Sequence, residues 1–346
     1  MPDLEKLITT HRFESAWEFY KFTEPLLGRL GPDKSEARYM FRGVGSSKHG
    51  LLPAAFRPGS RLLLDGAWRS VGSLETNEMQ LKAELETITA FFETVDRQGL
   101  IVPEDSQKLR EELRNQSHKL EHPSAIQRDV RWPDPSLWSL LALAQHHHLP
   151  TRLLDWTWDP RVAAYFAACD ALAKKDDKAC SEPSGAAELV VWGVIPLFYE
   201  AIPRTPFGPV PQPLLVKVAP PASGNRNLHA QRGVLVMLYQ GSIGLTQPAD
   251  RKDYIRALSE WAAVSSYSFP LTPFFRLTLP LAQAADLLKL LELSGLDGAS
   301  MFPGYDGVVR SLNDRQLLPS REAWDASPNR EAALKEDPRR GPGGLG

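Results

Sequence analysis

Apolar residues in the first half of the chain recur with the period of an α-helix. On this ground the sequence predicts helices between about residues 75 and 122. Their apolar stripe consists of Leu81, Leu85, Ile88, Phe91 and Phe92. Two further helices are predicted over "SAWEFYKFTEPLLGRL", which stops at Gly31, and over "WPDPSLWSLLALAQHHH", with Ser136 as its cap.

The pattern becomes alternating after Pro150, where "TRLLDWT" predicts a short strand. Its two faces are Thr151, Leu153, Asp155 and Thr157 on one side, and Arg152, Leu154 and Trp156 on the other. The next residues, "DPRVAAYFAACDAL", predict a helix with Asp159 as its N-cap and Pro160 at its first position.

Strand-like runs dominate the second half of the chain. They are "ELVVWGVI", "LLVKVA", "GVLVMLYQG" and "FFRLTLP", and "ARYMFRGVG" is an earlier strand that ends in a turn. "LAQAADLLKLLELSG" predicts a helix terminated by Gly295, and "ASMFPGYDGVV" predicts a short strand, a turn and the start of a helix. Because helices dominate the first half and strands the second, we expect an α+β fold with a mostly antiparallel sheet.

Three segments differ in character along the chain. Residues 1–34 are predicted to be a helical extension, and 35–312 the main domain, with a helical insertion at about 60–130. Residues 313–346 carry many charges, prolines and glycines with little apolar content, so we expect a disordered tail there.

Composition narrows the class of protein. The 346 residues are 42% hydrophobic and 24% charged, which is typical of a globular protein. A net charge of −2 disfavours duplex nucleic acid as the main partner. Cys169 and Cys180 alone make no disulfide framework, and the apolar runs are too short to cross a bilayer. We therefore expect a cytoplasmic protein with no membrane partner.

The consecutive residues His146, His147 and His148 suggest a metal site. Adjacent residues on a helix point about 100° apart, however, so three in a row cannot all bind one ion. The spacing therefore predicts no metal. A metal-assisted hydrolase or nuclease that combines these histidines with Asp155 stays as an alternative.

Three polar positions have both a functional and a structural interpretation. Arg42 ends an apolar strand and precedes Gly43, a pattern that can hold a phosphate or ribose or can be a surface arginine. Asp155 lies between Leu154 and Trp156, so it either lines a cleft or is a hydrogen-bonded structural carboxylate. Gln231 begins a strand, where turn formation is the alternative.

Five segments occur in an order that resembles the FRG domain family, named after its Phe-Arg-Gly triplet. They are "YMFRGVG", "LLPAAFR", "LALAQHHHLPTRLLDWTWDPRVAAYFA", "NLHAQRGVL" and "MFPGYDGVV", and they span roughly residues 35 to 312. The central segment is the specific one, because it is long and unusual. The family recurs in bacterial proteins, some of them linked to phage defence or toxin-like roles.

The chain is also similar to arginine-class ADP-ribosyltransferases, which carry an aromatic-Arg-Gly on the first core strand. Phe41-Arg42-Gly43 resembles that motif, and Asp155-Trp156-Thr157 resembles the Ser-Thr-Ser strand of those enzymes. The third motif, Glu-x-Glu, falls on Gln231-Arg232-Gly233, so a glycine stands where those enzymes have the catalytic glutamate. The resemblance implies a split antiparallel sheet with flanking helices and NAD as the substrate.

The same resemblance implies a role for each candidate residue. Arg42, Asp155, Thr157 and Gln231 are the expected catalytic residues, with Asp155 as the anionic stabiliser in place of the missing glutamate. The expected NAD-binding residues are Arg42, Gly43, Arg57, Arg152, Trp156 and Tyr165.

We expect a NAD-utilising effector, acting as a toxin or in phage defence, on an acceptor that is a protein, nucleic acid or small molecule. A neutralising or regulatory protein is a further expected partner. A nucleotide- or nucleic-acid-binding sensor without turnover is the main alternative, because Gly233 cannot act as the glutamate does.

Overall fold

The computed structural model describes residues 7–24, 39–46, 50–121, 129–173, 187–194, 214–218, 226–265 and 273–336. Within these ranges the chain forms ten strands and twelve α-helices. The strands are β1 (Ile8–Arg12), β2 (Met40–Val44), β3 (Arg61–Leu64), β4 (Ala67–Ser70), β5 (Asp129–Trp132), β6 (Leu153–Thr157), β7 (Glu188–Val194), β8 (Leu214–Val218), β9 (Gly233–Gly244) and β10 (Phe274–Pro280).

The helices are distributed along the whole described chain rather than confined to its first half. They are α1 (Ala16–Thr23), α2 (Asn77–Arg97), α3 (Gln107–Glu121), α4 (Trp138–His146), α5 (Pro160–Ala173), α6 (Arg226–Ala230), α7 (Tyr254–Ser265), α8 (Ala284–Leu293), α9 (Gly298–Met301), α10 (Tyr305–Asp314), α11 (Arg321–Asp325) and α12 (Pro328–Lys335). None of these helices is long and apolar enough to cross a lipid bilayer.

Eight strands form one sheet in the order β1-β10-β7-β2-β6-β9-β5, with β8 paired to β9. The pair β1/β10 is parallel and the other described pairs are antiparallel. A separate hairpin, β3/β4, packs against α2. The prediction of an α+β fold with a mostly antiparallel sheet is confirmed.

Two groups of helices cover one face of the sheet. Helices α1, α5 and α8 bury one apolar cluster, which includes Phe41 of β2. Helices α2, α3 and α4 bury a second cluster, which includes Leu153 of β6. The opposite face is packed by α7, around Tyr254 and Trp192. Asp155 of β6 lies on the first face, since it shares the side of Leu153, and it belongs to neither cluster.

Local signals placed most of these elements correctly. Gly295 follows α8 with φ +82°, a left-handed conformation that favours glycine and ends the helix. At the start of α5, Pro160 is the first residue and the Asp159 carboxylate accepts the backbone N–H of Arg161. Before α4, a short 3-10 turn intervenes, and its cap is Asp134 rather than the predicted Ser136.

Three predicted segments are corrected by the structure. The short strand predicted from Ala299 is instead part of α9, because Asp297 and Ser300 make a reciprocal capping box. The N-terminal residues predicted to be only helical include β1, whose mostly exposed, polar sequence gives no strand signal. The predicted disordered tail instead forms α11 and α12 as far as residue 335; residues 337–346 lie outside the described ranges.

Asn329 gives the physical reason for the ordered tail. Its side chain accepts the backbone N–H of Trp17 at 3.0 Å and donates to Gln283 at 2.9 Å and Asp286 at 2.7 Å. Trp324 packs in the apolar cluster of α5 and α8. Few apolar residues are therefore enough to dock this segment, because Trp324 is buried and the Asn329 side chain is fully hydrogen-bonded.

Candidate functional site

The sheet opens between β2 and β6. These two strands, both described along their whole length, pair only at Phe41 and Thr157. Beyond that pair, Arg42 donates its Nη1 hydrogen to the backbone carbonyl of Asp155 at 2.7 Å. The same nitrogen lies 3.8 Å from Oδ2 of Asp155. The guanidinium therefore occupies the place where a strand-to-strand ladder would otherwise continue.

A hydrogen-bond chain fixes the Asp155 carboxylate. Gln145, at the end of α4, donates its Nε2 hydrogen to Oδ2 of Asp155 at 3.0 Å. Thr151 donates its hydroxyl to Oε1 of Gln145 at 2.6 Å and so sets the direction of the amide. The Asp155 side chain is nevertheless 62% exposed, against 15% for Arg42. An accessible, oriented carboxylate beside a largely buried cation suits the binding of a polar ligand.

A second arginine, Arg57, adds to the positive electrostatic potential at this opening. Burial lowers the pKa of Arg42, Asp155 raises it, and Arg57 lowers it through like-charge repulsion. Arg57 is exposed, and its Nε donates to the carbonyl of Leu52 at 3.0 Å. Within the described ranges no carboxylate forms an ion pair with Arg57. The structure thus brings together three of the predicted residues: Arg42, Asp155 and Arg57.

The histidines lie at the rim of the same opening. Burial lowers the pKa of His146, as do His147 and His148, whereas Asp155 raises it. His146 and His147 are in ring contact, with centroids 5.1 Å apart. Across the described parts of the chain no group of three or more His, Cys, Asp or Glu residues is arranged to hold a metal ion.

A row of unpartnered donors crosses the sheet through Arg42. Trp192 is the register partner of both Arg42 on β2 and Arg276 on β10, and Trp156 stands on the other side of Arg42 on β6. Nε of both arginines and Nε1 of both tryptophans are buried and have no acceptor in the described part of the chain. Each such group costs about 1–3 kcal/mol relative to a satisfied one. We call these four side chains the donor row.

Gly43, one of the expected NAD-binding residues, packs against a helix. A Cβ at this position would lie 1.8 Å from the carbonyl oxygen of Ala163 and 2.9 Å from the nitrogen of Ala167. The glycine therefore allows α5 to approach β2 more closely than any side chain would. That close approach sets the position of the neighbouring Arg42.

Thr157 and Gln231 are brought to each other rather than to Arg42. The Thr157 hydroxyl donates to the backbone carbonyl of Gln231 at 2.7 Å and accepts the N–H of Asp159 at 3.0 Å. Gln231 donates its side-chain N–H to the carbonyl of Met301 at 3.1 Å. Both residues lie at the end of β6, beyond the opening that Arg42 enters.

Three predicted NAD-binding side chains are committed to the interior. Arg152 is 2% exposed and donates from Nε and Nη2 to the carboxylate of Glu84, each at 2.8 Å, so the expectation of a spare phosphate-binding cation does not hold for it. Tyr165 is buried and donates to Asp314 at 2.5 Å. Trp156 is 3% exposed and packs against the other face of the sheet, with its Nε1 in the donor row. Neither aromatic ring is free to stack on a ligand.

Gly233 lies on the same face of the sheet as Asp155. It is the register partner of Thr157, and Asp155 is the partner of Leu235. Residues two apart on a strand share a face, so Asp155 is a diagonal neighbour of position 233. A Cβ on Gly233 would lie 2.4 Å from the flexible end of Leu228.

This geometry defines a class of protein: an α+β chain with an arginine inserted at an opening in its sheet. Residues 37–176 match the family model of the FRG domain. The chain therefore carries an FRG domain, and that range contains Arg42, Arg57, Gln145 and Asp155. No match was found among curated proteins or among solved structures.

Two residues at the site were missed by sequence reasoning. Gln145 is part of the "QHHHLPTRLLDWT" segment, but its contact with Asp155 depends on how α4 turns back onto β6. Arg276 belongs to "FFRLTLP", and an arginine at an inward position of an apolar strand was the signal that could have found it.

Proposed function

We propose that this protein is a NAD-utilising enzyme of the ADP-ribosyltransferase type, with its site at the opening between β2 and β6. The observation that carries the proposal is the meeting of the Arg42 guanidinium and the Asp155 carboxylate, 3.8 Å apart, where β2 and β6 separate. In this proposal the opening takes the part of the split sheet that the resemblance to those enzymes implies.

The chemistry assigns complementary roles to the two charges. The bond between the ribose and nicotinamide breaks, nicotinamide leaves with the electron pair, and positive charge develops on the ribose. Asp155 stabilises that charge, while Arg42 binds the diphosphate and Arg57 supplies further positive potential. A nucleophile of the acceptor then forms the new bond to the ribose and loses its proton.

Asp155 can take the place of the missing glutamate because of where it lies. Diagonal neighbours on antiparallel strands are about 7–8 Å apart. In this proposal the ribose binds that much closer to β6, so that the Asp155 carboxylate reaches its developing charge. Asp155 is held by Gln145 from one side and exposed on the other. The role proposed for Gln231 is to orient the acceptor, whose class is a protein, nucleic acid or small molecule.

The cellular role proposed with this activity is that of a toxin or phage-defence effector, controlled by a neutralising or regulatory partner. Unchecked NAD consumption is harmful to a cell, so such an enzyme requires control. This role is tested separately from the chemistry by expressing the protein in cells and measuring whether their NAD is depleted.

The direct test is release of nicotinamide from NAD, with and without cell extract as a source of acceptor. We expect Arg42→Gln and Asp155→Asn each to lower turnover by about 100-fold or more, because the first removes the cation that positions the diphosphate and the second removes the carboxylate that stabilises developing charge. Arg256→Gln is the matched control, since Arg256 is an exposed arginine paired with Glu260 on α7. No release by the unaltered protein in either condition overturns the proposal.

A binding module without turnover is the second candidate, and Gly233 favours it. The position has no carboxylate, and a longer side chain there meets Leu228. This candidate predicts that dinucleotides raise the melting temperature while NAD stays intact over hours. Loss of that shift in Arg42→Gln, without any nicotinamide release by the unaltered protein, would establish the sensor in place of the enzyme.

A further inference from the structure

The donor row extends the site well beyond Arg42. Its four side chains stand on four adjacent strands, β6, β2, β7 and β10, and each contributes one buried N–H without an acceptor. Buried donors are normally satisfied, so four in register at one face are a feature that requires an explanation. All four are donors and two are cationic, which identifies the missing partner as rich in acceptors and negatively charged.

Arg276 is the cation at the far end of this row. It is partly exposed, and its guanidinium carbon lies 6.0 Å from the centroid of the Trp192 ring. Within the described ranges it has no ion pair with a carboxylate. Trp192 separates it from Arg42, so the two arginines are two strands apart, or roughly 10 Å between their Cα atoms.

We propose that Arg276 is a second anion subsite and that the ligand is a dinucleotide with an additional phosphate remote from its diphosphate. Arg42 binds the diphosphate, as in the proposed function on which this inference rests, and Arg276 binds the additional phosphate. The buried indole N–H groups of Trp192 and Trp156 lie in the same row, beside the two arginines. A diphosphate alone is too short to reach both arginines, because its two phosphorus atoms are joined through one oxygen.

The test compares the binding of NADPH and NADH, which differ only by the additional phosphate. Reduced nicotinamide is a poor leaving group, so both ligands persist during the measurement. We expect NADPH to bind about tenfold more tightly, corresponding to about 1.4 kcal/mol. Arg276→Gln should abolish this difference by weakening NADPH alone, whereas Arg276→Lys should retain part of it because the charge remains.

The control is Arg321→Gln, which removes an arginine that is 95% exposed and distant in the fold. It should leave both dissociation constants unchanged. Melting temperatures verify that every variant is folded. If an Arg276 variant fails to fold, two other measurements decide the question. They are the ratio of the NADH and NADPH dissociation constants of the unaltered protein, and the same ratio for Trp192→Phe, which loses one donor of the row.

Each outcome separates this inference from the proposed function. Equal binding of the two dinucleotides, or equal weakening of both by Arg276→Gln, overturns the subsite and leaves the proposed function in place. An Arg276-dependent preference without nicotinamide release from NAD supports the subsite and removes the transferase. Binding of neither dinucleotide, with no nicotinamide release, overturns both.

Discussion

A methyl group on Gly43 would lie 1.8 Å from the carbonyl oxygen of Ala163. The obstacle is the backbone of α5, which cannot rotate out of the way as a flexible side chain could. Gly43→Ala should therefore separate α5 from β2 and lower the free energy of unfolding by about 2 kcal/mol or more. Thermal and urea denaturation measure the effect.

Gly59→Ala is the matched control for that substitution. Nothing lies within 4 Å of a Cβ at residue 59, so the change should alter stability by less than about 1 kcal/mol. Similar losses at the two glycines would contradict the packing role of Gly43. The glycine of the family triplet would then be explained by ligand contact instead.

The buried pair of Arg152 and Glu84 predicts a larger loss of stability. Glu84 is 5% exposed and also accepts the indole N–H of Trp132 at 2.9 Å. Glu84→Gln leaves the Arg152 cation without its counter-charge in the interior, so we expect a loss of about 3–5 kcal/mol. Chemical denaturation measures it.

Glu78→Gln tests the same chemistry at the surface of the same helix. Glu78 pairs with Lys82 at 2.7 Å, and both are about one-third exposed. The Glu78→Gln substitution should lower the free energy of unfolding by less than about 0.5 kcal/mol. An equally small effect for Glu84→Gln would mean that Arg152 is solvated and free to bind a ligand, as the sequence suggested.

The difference between predicted and observed roles has a common physical cause at these positions. Alternation along "TRLLDWT" predicted that Arg152 and Asp155 face opposite sides of one strand, but β6 begins at Leu153, so Arg152 lies just outside it. What each side chain meets was not predictable, because Glu84 comes from a helix 68 residues upstream. A local pattern determines the direction of a side chain but not the element that packs there.

The fold could therefore be predicted from the sequence to a greater extent than the site. Helix periodicity located α2 and α4, while the N-cap signal at Asp159 and the glycine at 295 located α5 and α8. The strand β1 was missed because four of its five residues are exposed and polar, and its partner β10 lies over 260 residues away. The tail was misjudged because composition does not show that Asn329 will be buried.

Two buried tryptophans provide a test of the donor row. Trp192 and Trp132 are both at most 5% exposed, but Nε1 of Trp192 has no acceptor, whereas that of Trp132 donates to Glu84. Trp132→Phe should therefore be the more destabilising change, by about 1.5–3 kcal/mol for the bond to a charged group. Equal losses in denaturation experiments would show that Trp192 also has a partner, and the row would lose a member.

Cys169 should be unreactive in the folded protein. Burial raises the pKa of its thiol to about 12, and Asp314 contributes in the same direction. The folded state thus favours the neutral thiol, which adds stability below the unfolded pKa of about 8.5 and loses it as pH rises towards the folded value. Alkylation at pH ~8 should be roughly a thousandfold slower than for an unfolded thiol.

Mass spectrometry of a Cys180→Ser variant isolates this thiol, because the chain has two cysteines. Modification should appear only as the protein unfolds, and the onset should follow the denaturation curve. Rapid labelling under native conditions would place Cys169 at a surface and contradict its packing between α5 and α10.

Gln145 provides the last prediction, which concerns the orientation of Asp155. Because its amide joins Thr151 to the carboxylate through bonds of 2.6 and 3.0 Å, Gln145→Leu should leave Asp155 in place but free to rotate. If Asp155 stabilises developing charge, nicotinamide release should fall about tenfold in kcat, with little change in KM. The melting temperature should hardly change, since Gln145 is only partly buried.

Gln116→Leu is the control, an amide on α3 whose substitution should leave kcat unaltered. A rise in KM or a loss of stability, with kcat intact, would mean that the chain from Thr151 to Asp155 supports the fold and takes no part in the chemical step.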